Sequence, residues 1–165
     1  MNVGKTPYKY HFLLYNQYGV LRPNWLVKLN LIFLCRHLLL LLAFGGMNFK
    51  GKVGPEMEHL LPLLDRTFII TDIPALMVLI VMGTRQPGAS AANRWIWRHG
   101  RYLILGSIGA FFLIIGVRHG VNQTPLEAVE WAVIAVNIAA AIYIVKSAYI
   151  GDLFAEFPQP RIDES

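Results

Sequence analysis

The chain has 165 residues, of which 55% are hydrophobic, 12% aromatic and only 15% charged, and its formal net charge is +5. A soluble domain carries roughly 25% charge, so this composition excludes a disordered chain and gathers the apolar residues into long blocks. A single cysteine, Cys35, excludes an internal disulfide framework and a zinc cluster built on thiolates.

Residues 1–24 contain no acidic side chain, and Gly19 with Pro23-Asn24 marks a turn into the first apolar block. Tyr8, Tyr10, Phe12, Tyr15 and Tyr18 stand beside Lys5 and Lys9 here, which suits either an interfacial segment or a frayed tail. Four blocks follow, at about 25–45, 63–83, 96–117 and 126–149. Each has about the 20 residues that a helix needs to cross the hydrocarbon core of a bilayer. Each is apolar around nearly its whole circumference, as a membrane span is. The first block is too long for a secretory signal peptide, and Cys35 lies inside it rather than after it, unlike a lipoprotein anchor.

Lysine and arginine set the orientation. Ten lie in the N-terminal segment, the second loop and the C-terminal tail or at the span ends bordering them, with Lys28, Arg98, Arg101 and Lys146 just inside those ends; four lie toward the other side, and Arg36 is deep inside a span. The expected fold is an all-α integral membrane four-helix bundle with both termini in the cytoplasm. Residues 150–165 form a cytoplasmic tail, proline-punctuated and disordered from Phe157 onward. Basic charge placed beside apolar spans is a topology signal, so nucleic acid is not an expected partner. The bilayer is one, with anionic lipids at the cytoplasmic face.

Charged groups at the bilayer centre are costly, which makes them functional candidates. Arg36 lies eleven residues beyond Trp25 and Asp72 eleven before Gly83, so the two share a depth. Asp72 is therefore the expected partner of Arg36, through a guanidinium–carboxylate fork. His37 and Asn137 complete the mid-membrane polar set. The bland reading is a buried pair that fixes helix register; the sharper one is a proton or anion relay. Asn137 is expected to hydrogen-bond a neighbouring helix, and Pro74 to kink the second span. Gly106 with Ala110, and Ala135 with Ala139, are small-xxx-small patterns for helix packing, between the third and fourth spans or against a partner. Trp95, Trp97, Arg98 and Arg101 read as an aromatic and basic interfacial collar.

Only His37 is deep, so a haem held by two histidines is disfavoured; His11 and His99 lie near the inner face, His59 and His119 near the outer. No metal or other cofactor is expected. The chain has no Walker loop, dinucleotide fingerprint, nucleophile elbow or HExxH motif. Cys35 in lipid reads as a small hydrophobe. No internal repeat is evident.

The stretch Tyr15-Asn-Gln-Tyr-Gly19-Val-Leu21-Arg22, with Arg36 at its spacing, Ile73-Pro74 in the second span and Arg101 entering the third, resembles the YfeZ-like family of uncharacterised inner-membrane proteins of Gram-negative bacteria. The similarity runs from about Tyr15 to Phe154. Pro23 directly after Arg22 departs from the pattern, and His37 has no counterpart in it. The resemblance implies the topology and the bacterial inner membrane, but no mechanism. The expected function is that of a non-enzymatic accessory or assembly subunit that packs against a larger membrane complex or another copy of itself. The alternatives are a small carrier or proton-coupled transport component using Arg36, His37 and Asp72, and a quinone- or haem-associated redox subunit.

Overall fold

The computed structural model describes residues 9–48, 66–122 and 125–159, and these are all-helical. Seven α-helices run in the order α1 (Trp25–Leu34), α2 (Arg36–Asn48), α3 (Ile69–Gly83), α4 (Ala91–Arg98), α5 (Gly100–Asn122), α6 (Ala128–Lys146) and α7 (Ala148–Ala155). A 3-10 turn, Phe12–Leu14, precedes them, and another, Arg66–Phe68, leads into α3. The first connecting loop, including His59, and most of the C-terminal acidic tail lie outside the described residues.

Helices α5 and α6 are each long and apolar enough to cross a membrane. The first block is not one straight rod. It bends by 64° at Cys35, and only α1 and α2 together have the length and hydropathy of a span. By contrast α3 runs through Pro74 as one helix of 15 residues, about 22 Å long at ~1.5 Å per residue. The sharp break falls in the helix beside the proline-containing one.

Local chemistry sets the helix starts. Asn24 accepts a hydrogen bond from the Val27 amide at 2.9 Å and starts α1, and Ser90 does the same for Asn93 in α4. Glu127 and Glu130 form a capping box at the start of α6, satisfying amides that the helix cannot reach. The third and fourth blocks each divide. Helix α4 stops at His99 before α5 begins, and α6 gives way at Ser147 to α7.

Helix α3 is the centre of the packing, lying mainly on α5 and also on α1, α2 and α4. The main core joins Val27 and Leu31 of α1, Ala75 and Val78 of α3, Ile104 and Ile108 of α5, Ile144 of α6, and Leu153 and Phe154 of α7. A smaller cluster of Phe68, Phe111 and Ile115 sits toward the other end of α5.

From Lys9 onward the N-terminal segment is tied into the fold rather than frayed. Residues Tyr15 and Leu21 form an antiparallel bridge across a turn in which Gly19 adopts φ +72°, a conformation that favours glycine. Leu21 is fully buried, and its amide donates to the Glu156 carboxylate at 2.8 Å. Arg85 donates to the carbonyls of Leu21 at 2.6 Å and Glu156 at 2.5 Å, and its guanidinium lies 4.4 Å from the Trp97 ring. Burial lowers Arg85 to about 10, with Glu156 opposing the shift, so it stays charged at neutral pH. Of the tail expected to be disordered, residues 157–159 are described, with Phe157 packed against the main core and Pro158 fully buried.

Lys9 and Tyr10 donate to Asp152 of α7 at 2.7 and 2.6 Å. These two hydrogen bonds hold the Asp152 carboxyl below its ordinary range. A carboxyl depressed in the fold adds stability above its unfolded pKa and loses it as pH falls through the folded one. The protection factors of amides around Tyr10, the intrinsic exchange rate at each pH divided by the observed one, are thus expected to be flat near neutrality and to fall below roughly pH 4. Asp152→Asn should lower protection at neutral pH and abolish that acid limb. An unchanged acid limb in the variant would assign the effect elsewhere.

Candidate functional site

The polar cluster forms where the first block breaks. Three consecutive amides lose their usual carbonyl acceptors at the start of a helix. Asp72 of α3 supplies one replacement: its Oδ2 accepts from the Leu38 amide at 2.9 Å. Its Oδ1 accepts from His37 Nδ1 at 2.9 Å, with both side chains buried. A carboxylate at the N-terminus of α2 also sits at the positive end of that half-helix dipole. Asp72 thus caps a helix broken in mid-span, and the break exposes the donor that Asp72 needs.

Neighbouring groups fix this arrangement. The Thr71 hydroxyl donates to the Phe68 carbonyl at 2.7 Å and lies 3.3 Å from Asp72 Oδ1. Ser107 of α5 donates to the Thr71 carbonyl at 2.5 Å, joining α5 to α3 beside the acid. The His37 ring stacks on Phe68, with centroids 5.1 Å apart and planes inclined by 17°.

Arg36 is not in a fork with Asp72, and the reason is angular. Successive residues on a helix point about 100° apart, so when His37 faces α3, Arg36 faces away at the same depth. Its Nη1 donates to the Phe33 carbonyl at 3.2 Å, and its guanidinium lies over the rings of Phe33 and Phe111, at 4.5 and 4.8 Å. Its Nη2 is buried without a hydrogen-bond partner among the described residues. Arg36 and His37 line a cavity of about 50 Å³ with Phe68, Phe111, Arg118, Glu130 and Val133. At about 10–15 Å³ of such space per water, this holds a few waters or one small anion. His119 and Glu130 meet at 3.1 Å near its rim.

Asn137 is fully buried, but its Nδ2 donates to Val133 of its own helix at 2.8 Å instead of a neighbouring helix. Its Oδ1 is buried without a hydrogen-bond partner among the described residues. Gly106, Ala135 and Ala139 are exposed and Ala110 is half-buried, so the small-residue pairs do not form the contact between α5 and α6. Large residues make it instead, with Phe111 and Ile115 packed against Val133 and Ile134.

The interfacial collar divides by helical phase. Trp95 is exposed, but Trp97, about 200° further around α4, is buried. Its Nε1 donates to the Leu153 carbonyl at 3.0 Å, and its ring rests on Phe154. Arg98 stays exposed, and Arg101 donates to the Val145 carbonyl at 2.6 Å. Sequence reasoning missed Thr71, Ser107 and Arg85. The hydroxyls carry no charge to flag them, and Arg85 binds backbone carbonyls that have no sequence signature.

Among the described residues, no group of three or more His, Cys, Asp or Glu side chains is placed to hold a metal ion. Neither the curated proteins nor the solved structures contain a significant match to the chain. A family model described as "Protein of unknown function (DUF2919)" matches residues 10–156, and the chain belongs to that family.

Proposed function

We propose that the protein is a non-enzymatic, four-span protein of the bacterial inner membrane, of the YfeZ-like type, that serves as an accessory or assembly subunit for a larger membrane complex. The observation that carries this reading is the outward face of α5. Gly106, Gly109, Gly116 and Gly120 lie on it, and each has open space where a Cβ would stand. Tyr102, Leu113 and Val117 on the same face are exposed. Lipid tails need no such groove, whereas a row of glycines lets the backbone of another helix approach closely.

An even number of crossings is supported by the meeting of the two ends of the chain, through Lys9 with Asp152 and Leu21 with Glu156. A cytoplasmic location for that end is supported by Arg85, Arg94 and Arg98, which gather there. In mild detergent, the wild-type chain is expected to co-migrate with a second membrane protein or with another copy of itself. Gly109→Leu should abolish that co-migration without lowering the melting temperature of the isolated chain, since no described residue stands within 4 Å of the added Cβ and leucine is the better helix former. A wild-type chain that runs as a bare monomer, or a Gly109→Leu chain that keeps its companion, would count decisively against this role.

The second reading, a small carrier or proton-coupled component, is favoured by the Arg36 Nη2 beside its cavity, which has no hydrogen-bond partner among the described residues. It requires pH-dependent flux across vesicles that Arg36→Gln removes.

A further inference from the structure

A second cleft lies between α4 and the C-terminal segment. It encloses about 160 Å³ and is lined by Arg94, Trp97, Arg98, Phe154, Phe157 and Pro158, with no carboxylate among its lining residues. Arg94 and Arg98 are one turn apart on a helix, where like charges repel unless an anion lies between them. Arg94 is held in place: its Nη2 donates to the Pro87 carbonyl at 3.0 Å, and its guanidinium lies 5.9 Å from the Phe157 ring. Arg98 is exposed and makes no hydrogen bond or ion pair among the described residues.

The surroundings are those of a membrane boundary. Helix α4 lies directly before the span α5, and Trp95 is exposed beside the two arginines. The aromatic and proline walls supply an apolar flank to a cationic floor. That combination suits a group with phosphate at one end and hydrocarbon at the other.

We propose that this cleft binds the phosphodiester headgroup of an acidic phospholipid, with Arg94 and Arg98 as the phosphate ligands and the Phe157–Pro158 wall against the glycerol. The inference rests on the membrane reading above, but neither on a docked partner nor on the mid-membrane cavity. Its failure and theirs are therefore separable.

The test uses the full chain, delipidated in detergent and titrated with phosphatidylglycerol or phosphatidylcholine while bound lipid is counted by native mass spectrometry. Phosphatidylglycerol should be retained preferentially. Arg94→Gln and Arg98→Gln should each weaken its retention about fivefold, and the double variant by more than either. Lys146→Gln, a basic change at the same end of the bundle but outside the cleft, should leave retention unchanged. Both arginines are exposed, so melting temperatures should not move, and a fall in them would be scored with Arg98→Gln alone. Millimolar inorganic phosphate should not displace the lipid. Equal retention of the two lipids, an unaffected double variant, or full displacement by inorganic phosphate would each overturn the assignment to a lipid headgroup.

Discussion

Asp72→Ala is expected to cost the fold about 2–6 kcal/mol, from two buried donors that each lose an acceptor at about 1–3 kcal/mol. The change leaves the Leu38 amide and His37 Nδ1 without their acceptor in a region that water does not freely reach. Asp72→Asn keeps one acceptor oxygen for Leu38 and should cost less, about 1–3 kcal/mol. Unfolding in mixed detergent micelles measures both. A double-mutant cycle separates the two candidate partners, because only groups in direct contact show substantial coupling. Asp72→Ala should couple strongly to His37→Leu and weakly to Arg36→Gln. Stronger coupling to Arg36 would mean that the acid serves the guanidinium after all, and that the half-helix cap is incidental.

That cycle also marks how far the sequence could be read. The apolar blocks were legible because a bilayer demands length and hydrophobicity, which composition displays directly. Equal depth for Arg36 and Asp72 was legible from counting along two antiparallel helices. What counting along the axis does not supply is rotation, and one residue of helical phase exchanges His37 for Arg36 as the side chain facing α3. The same limit separates Trp95 from Trp97, which share a depth within ~3 Å but face opposite sides of α4. The break at Cys35 was hidden for another reason. No proline or glycine stands there, and the acceptor that stabilises it is Asp72, on a different helix.

The clasp of Leu21, Arg85 and Glu156 was hidden because its bonds run to main-chain atoms, and here the second large effect is expected. Arg85 is nearly buried and holds two carbonyls, Leu21 of the N-terminal segment and Glu156 of the C-terminal one, while resting on Trp97. Arg85→Ala should destabilise the chain by about 2–4 kcal/mol, since charge-assisted bonds vanish and their acceptors stay in place without a donor. Arg85→Lys should recover only part of this, because an ammonium lacks the planar fork that spans two acceptors. The local signature is more telling than the total. Residues 9–22 should become open to limited proteolysis in Arg85→Ala while α5 and α6 remain protected, since Leu21 is fixed at its amide by Glu156 and at its carbonyl by Arg85. Cleavage that spreads evenly through the chain would mean that Arg85 supports the whole bundle and not this clasp.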